Sequence, residues 1–291
     1  MRKITDASVE VDKMKTGQMR LPNIIAVGPP RTGTTWLDAV LRGHIGLPSE
    51  VKETQFFKWN YDKGIDWYAW HFRDCPPELP VMEICPSYFN FASAREHIKE
   101  HIPNCKIICT LRDPVERLYS VYRHYSGFSG FKSFEQMIQD APDLFEASNY
   151  VAHIQEWYKL FGKANVLVVL LDDLERRPQE FVDSVCKFAG IELFPVDATE
   201  AGTKKINATP RRARSRLLAM AAGKLRGWML SHRMLKLLNF WKKSPLWKVC
   251  FGGGEEFGPP SPEIEKRLRE HFRPSVEALE KLLGRDLAAW K

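Results

Sequence analysis

The residues with the clearest chemical use are Gly28-Pro29-Pro30-Arg31-Thr32-Gly33-Thr34-Thr35. They follow the apolar run Ile24-Ile25-Ala26-Val27 and precede Trp36-Leu37-Asp38-Ala39-Val40-Leu41. That order reads as strand, glycine-bearing turn and helix start. In such a turn, backbone N–H groups at a helix N-terminus cradle a phosphate-like anion. The glycine spacing fits the G-x-x-x-x-G-K-[ST] loop that binds ATP, but Thr34 stands where that loop needs lysine. Arg31 is the cation inside the loop. The turn therefore predicts an anion site other than one for the β- and γ-phosphates of a Mg²⁺-nucleoside triphosphate. A second cluster is Thr110-Leu111-Arg112-Asp113-Pro114, with Ser120 eight residues beyond Arg112. Arg112 lies at the C-terminal end of a strand, where open α/β sheets take their ligands. Ser120 falls two turns into the following helix.

The elements that position these residues are legible from periodicity. Apolar runs predict strands at Asn23–Val27, Val81–Cys85, Cys105–Leu111 and Val166–Leu171. Helices are expected over Thr34–Arg42, Ala92–His101, Pro114–Tyr125 behind an Asp113 cap, Phe134–Gln139, Ala147–Phe161 and Pro178–Ala189. Two more are expected at Glu263–Phe272 and Pro274–Leu283. Residues 48–75 are rich in aromatics and read as loops and a short helix able to wall a pocket or pack a core edge. Strands apolar along their whole length, alternating with helices, predict an α/β three-layer fold: a central, mostly parallel sheet carrying a P-loop-like turn.

The chain has 291 residues, 44% of them hydrophobic and 27% charged, which is ordinary globular composition. A leader is expected at 1–20 and a single domain at 21–291. No apolar stretch follows Met1, so the sequence predicts no signal peptide and a cytoplasmic, reduced setting. Six cysteines show neither a C-x-x-C pair nor zinc spacing, which predicts buried thiols and no metal site. The net charge of +7 is unevenly placed. Residues 201–254 hold 13 Lys and Arg and no Asp or Glu, whereas the rest carries 30 basic and 36 acidic residues. This basic insert predicts an anionic partner. Leu217, Ala221, Leu225, Trp228, Met229, His232 and Leu235 fall near one helical face of it. It reads equally as a lid over a cofactor, a dock for an acidic acceptor, or a peripheral membrane contact. Lys204, Lys205, Arg211 and Arg212 come first and could close over phosphates. No nucleic-acid partner is expected.

The first loop, together with Leu-Arg-Asp-Pro-x-x-Arg-x-x-Ser at 111–120, resembles the PAPS-dependent sulfotransferase family. The resemblance runs from about residue 22 to 190. It implies the donor 3′-phosphoadenosine 5′-phosphosulfate (PAPS), which leaves as 3′-phosphoadenosine 5′-phosphate. It gives the 5′-phosphosulfate to Arg31, Thr32, Gly33, Thr34, Thr35 and Trp36, and the 3′-phosphate to Arg112 and Ser120. Lys52-Glu53-Thr54-Gln55-Phe56-Phe57 is similar to the branch that modifies heparan sulfate, where a Glu before a Phe-Phe pair is the catalytic base. That implies Glu53 as base. Glu83 matches a further acidic position and is expected either to contact the acceptor or to be a structural partner for a nearby Arg; Phe56 and Tyr88 are expected to contact the acceptor. Two departures stand out: Arg31 replaces the loop lysine of most branches, and Ile84 replaces a lysine after the second Glu.

Sulfuryl transfer is in line and loads negative charge onto the leaving 5′-phosphate. Arg31, the loop N–H groups and the Thr34 and Thr35 hydroxyls would absorb it without a metal ion. The expected acceptor is a hydroxyl of a small molecule or natural product, with glycan O- or N-sulfation as the alternative. A P-loop kinase or NTPase, using Asp172-Asp173 as a Walker-B-like pair, and a non-enzymatic basic anion-binding module are the competing classes.

Overall fold

The computed structural model describes residues 20–129, 131, 133–199 and 211–291, apart from 214, 232–233, 235–236, 238–239, 242–243, 252 and 257–259. The expected leader, Arg20 excepted, and Lys204 lie outside them. The described residues form two compact units. One comprises those up to Leu111 together with those of Ile154–Thr203; the other comprises Arg112–His153 and those of Lys204–Lys291.

The first unit is built on a sheet of β1 (Ile24–Val27), β2 (Met82–Ile84), β3 (Lys106–Leu111) and β4 (Val166–Leu170). Its order is β2-β1-β3-β4 and every pairing is parallel. All four residues of β1 are buried, as an interior strand covered on both faces requires. Right-handed crossovers place the connection β1-to-β2 on one face, and β2-to-β3 on the other. Ring contacts agree with that layering. Trp36 of α1 (Thr34–Leu41) meets Phe181 of α10 (Pro178–Ala189) edge-on at 6.2 Å. Across the sheet, the guanidinium of Arg95 on α4 (Ala92–His101) lies 5.8 Å from the ring of Trp157 on α8 (Tyr150–Phe161), whose indole donates to Phe89 O. The fold is thus the three-layer α/β arrangement expected. The strand order reverses between β1 and β3, so the ligand crevice of such a sheet opens at their C-terminal ends.

The aromatic stretch forms α2 (Phe56–Trp59) and α3 (Ile65–Trp70). Phe56, Phe57, Tyr68 and Phe72 are all buried, stacked or edge-on to one another. For these four, core packing is the reading realised, whereas Trp59 of the same stretch is exposed and Trp67 and Trp70 are part-buried.

In the second unit, α5 (Pro114–Ser129) packs against α11 (Arg216–Ser231). Short helices α6 (Phe134–Asp140) and α7 (Pro142–Glu146) follow α5, and α9 (Leu171–Arg176) belongs to the first unit. A two-stranded sheet pairs β5 (Arg211–Ala213) antiparallel with β6 (Gly253–Glu256), with α12 (Pro245–Phe251) preceding β6. The last helix, α13 (Pro262–Leu283), corrects the expected break at Pro274. It runs through the proline as one helix, from a Ser261 cap to Gly284 in the left-handed conformation. Its buried stripe Leu268, Phe272, Val276 and Leu279 continues across Pro274, and that packing outweighs one missing hydrogen bond.

Candidate active site

The loop after β1 is shaped by what its backbone must avoid. Gly28 has φ +120°, and a Cβ there would sit 2.8 Å from Thr110 N of β3 and closer still to that residue's oxygens. Only glycine lets β1 turn out of the sheet against β3. Gly33 has φ +92° and serves as N-cap of α1. Arg31, two residues earlier, is also left-handed, at φ +79°. That conformation costs a non-glycine residue on the order of 1–2 kcal/mol. Left-handed residues among helical ones turn successive N–H groups into one concavity, an anion nest.

The end of α1 keeps that concavity available. Gly33 provides no side-chain cap, and the first turn holds no acidic residue. The first intrahelical bond is Leu37 N–H to Gly33 O at 3.0 Å, so the N–H groups of Thr34, Thr35 and Trp36 precede it. These donors and the positive end of the helix dipole form a cradle that fits a phosphosulfate or phosphate group.

The side chains of the loop divide into inward and outward sets. Thr32 is buried; its hydroxyl donates to Pro29 O at 2.8 Å and takes the Thr110 hydroxyl at 2.7 Å. Trp36 is buried against Phe181. Both therefore offer a ligand their main chain only. Thr35 is exposed, and its hydroxyl accepts from Lys52 Nζ at 3.1 Å. The same ammonium reaches Glu53 Oε1 at 3.3 Å. Lys52 thus bridges the anion loop and the expected base. The other carboxylate oxygen, Oε2, accepts from Gln55 Nε2 at 2.8 Å. Gln55 Oε1 in turn takes a short hydrogen bond from the Ser87 hydroxyl. Gln55 is left-handed, φ +56°, and with Arg31 makes up the non-glycine positive-φ residues of the described chain. Local strain of this kind concentrates at functional sites. Lys52, Gln55 and Ser87 escaped the sequence analysis. Lys52 had a signal, being the charge next to Glu53; the turned backbone at Gln55 had none.

Glu83 is placed differently. It lies on β2 opposite Ile25 and is wholly buried. Its Oε1 accepts from Thr54 N–H at 3.0 Å, the Thr54 hydroxyl at 2.6 Å and Tyr88 OH at 3.3 Å. Its Oε2 accepts from Tyr68 OH at 2.7 Å. Burial raises its pKa above the usual carboxylate range, against the pull of these donors. Burial also holds the Tyr68 and Tyr88 phenols well above their ordinary value, so both stay protonated donors. Phe56 and Tyr88, expected at the acceptor, are core residues, and so is Glu83, whose structural partners are Thr54, Tyr68 and Tyr88 rather than an Arg. Their work is to hold Thr54, and through it the Lys52–Gln55 segment. Phe56 N–H bonds to the Thr54 hydroxyl and Phe57 N–H to Tyr88 OH, which carries the same support into α2.

The other predicted phosphate residues belong to the second unit. Arg112 Nε and Nη2 both contact Glu116 Oε2, at 3.2 and 2.9 Å. Its carbonyl accepts from Tyr150 OH at 2.8 Å. Asp113 caps α5 through Val115 N–H at 2.8 Å and Glu116 N–H at 3.0 Å, and Arg269 Nη1 holds its second oxygen at 3.0 Å. The backbone at Arg112 is thereby pinned from both sides. Ser120 is buried on α5. Arg117 is buried as well, bonded to Ser148 Oγ and to Leu144 O. Arg211 and Arg212 lie on β5. Among the described residues no group of His, Cys, Asp and Glu could hold a metal ion.

Comparisons with known proteins agree with this geometry. The family model described as the sulfotransferase domain matches residues 21–207. The sequence is 31% identical over 200 residues to bifunctional heparan sulfate N-deacetylase/N-sulfotransferase 2 of Bos taurus, covering 60% of this chain and 22% of that protein. It is 32% identical over 197 residues to bifunctional heparan sulfate N-deacetylase/N-sulfotransferase 3 of Homo sapiens, covering 59% and 22%. The match thus spans about a fifth of the length of these relatives. A solved sulfotransferase from Alicyclobacillus acidocaldarius superposes with a TM-score of 0.65 at 20% identity, covering 93% of this chain and 99% of that one. At that identity the likeness speaks for the fold.

Proposed function

This chain belongs to the sulfotransferase domain family, and we propose that it moves a sulfuryl group from PAPS to a hydroxyl or amine of a glycan. The observation that carries the reading is the joining of the anion cradle to Glu53 through Lys52. When bound, PAPS supplies an activated sulfuryl group on a phosphate leaving group. The N–H groups of residues 32–36 and the cation of Arg31 hold the 5′ end. Thr35 receives a hydrogen bond from Lys52, so its own hydroxyl proton is available to an anion. Lys52 adds positive charge where the leaving oxygen gains negative charge. Glu53 takes the acceptor proton, and Gln55 fixes the carboxylate for that transfer. Arg112 and Ser120 take the 3′-phosphate, with Arg112 exchanging Glu116 for it. Lys204, Arg211 and Arg212 remain candidates for the same phosphate.

Glycan is favoured over a small aromatic acceptor for two reasons. The relatives just described carry heparan sulfate in their names. Burial of Phe56, Phe57, Tyr68 and Phe72 takes these four rings out of reach of a planar acceptor. A nucleotide kinase is disfavoured by Thr34 in the lysine position.

The test is thermal stability with 3′-phosphoadenosine 5′-phosphate, ADP and Mg²⁺-ATP, followed by sulfate transfer from PAPS to de-N-sulfated heparin and to 2-naphthol. A ligand at 100 times its Kd adds about 2.7 kcal/mol. The expected result is a raised midpoint with the 3′-phosphorylated nucleotide only, and transfer to the polysaccharide. Stabilisation by Mg²⁺-ATP alone would overturn the donor; transfer to 2-naphthol alone would overturn the acceptor.

A further inference from the structure

The basic segment leaves apolar surface uncovered. Among the described residues, ten large hydrophobic side chains are exposed, and eight of them fall between 218 and 249: Leu218, Met220, Leu225, Trp228, Leu237, Phe240, Leu246 and Val249. That clustering is unlike the scattered exposed apolar residues of ordinary surfaces. On α11, Ala222 and Met229 are buried, one heptad apart. Beside them run Leu218, Ala221, Leu225 and Trp228, spaced three and four apart and all exposed. The apolar face of the helix is therefore wider than the strip that its own unit covers. The sequence places Leu225, Trp228 and Met229 on one face; the structure buries only Met229. On α12, Leu246 and Val249 are three apart and also exposed. Phe240, between the two helices in sequence, is 74% exposed.

The charge of the same segment selects what would cover this face. No acidic residue lies between Ala201 and Gly254, against 13 basic ones. A soluble polyanion would match the charge and leave the aromatic and aliphatic side chains in water. A neutral protein would match the apolar groups and leave the charge unanswered. An anionic bilayer answers both: headgroups meet Lys and Arg, while Trp, Phe and Leu enter the acyl boundary. No described helix is long and apolar enough to cross a membrane, so the contact is interfacial.

We propose that the 218–249 face, carried by α11 and α12, docks this protein on an anionic lipid surface. The experiment is co-sedimentation of the full chain with vesicles of phosphatidylcholine alone or mixed with phosphatidylglycerol, at low and high salt. Partitioning onto the anionic vesicles is expected to exceed that onto neutral ones by about tenfold or more and to weaken with salt. Because the substituted side chains are exposed, the variants should fold; an unchanged melting midpoint checks this. The triple variant Trp228→Ser, Phe240→Ser, Leu246→Ser should lose about tenfold in partitioning at either salt. Lys224→Glu should lose about tenfold at low salt and less at high salt. Equal partitioning onto both vesicle types would overturn the proposal. So would a triple variant that binds anionic vesicles as the parent does, since charge alone would then hold it. Binding to heparin without binding to vesicles, or self-association abolished by the triple variant without vesicle binding, would give the face to a glycan or to a second copy and equally overturn it.

Discussion

The upper and lower layers of the candidate site are built on opposite terms. The upper layer is Arg31, Gly33, Lys52, Glu53 and Gln55. It is strained at two non-glycine positions and partly exposed, and its Lys52 meets Glu53 at 3.3 Å. The lower layer is Gly28 against Thr110, Thr32 between Pro29 and Thr110, and Glu83 among Thr54, Tyr68 and Tyr88. It is buried, and its polar groups are saturated with hydrogen bonds. The two carboxylates carry the contrast furthest. Glu53 keeps a side chain 30% exposed and one flexible partner on each oxygen. Glu83 is sealed and spends both oxygens on support. A motif can name two acids of one branch, and burial then divides their labour. On the proposed function, the upper layer would give up stability for chemistry and the lower layer would supply the rigidity that this needs.

If that division holds, substitutions above should change rate and those below should change stability. Arg31→Ala should lower kcat by about 10²–10³ with little change in the unfolding midpoint. Arg31→Gly should lose the same rate while gaining about 1 kcal/mol, because the left-handed strain is relieved. An Arg31→Gly variant with parental kcat would break the comparison. Gly28→Ala should cost about 3 kcal/mol by driving a Cβ into Thr110, read by urea unfolding. Glu83→Gln should cost about 1–3 kcal/mol by mismatching buried donors. It should also alter the pH dependence. The folded pKa of Glu83 lies above its unfolded value, so between the two the folded state holds more protons. Stability then falls as pH rises through that window from the ordinary carboxylate value. Glu83→Gln should flatten this slope, and a slope unchanged in the variant would remove Glu83 as its source.

The sheet and the anion turn were legible because each rests on local pattern. Apolar strands, a glycine at a forced turn and a motif spacing need no tertiary information. What the sequence hid depends on packing. Thr32 and Trp36 sit in the motif, yet their side chains turn inward once β3 and α10 are in place. Phe56 and Tyr88 look like pocket aromatics until Phe56 packs on Phe57 and Tyr68 and Tyr88 meets Phe57. Pro274 reads as a break, but the stripe from Leu268 to Leu279 carries the helix through it. Arg112, expected at a phosphate, is paired with Glu116 at four-residue spacing.

The most direct measurement is single-turnover sulfate transfer from PAPS by Glu53→Gln and Glu83→Gln, each normalised to the fraction folded and to binding of 3′-phosphoadenosine 5′-phosphate. Glu53→Gln should bind the nucleotide as the parent does and lose about 10²–10⁴ in rate. Glu83→Gln should keep the parental rate per folded, nucleotide-bound molecule. A Glu53→Gln enzyme at parental rate, or a folded Glu83→Gln enzyme without activity, would contradict the division of labour between the two acids.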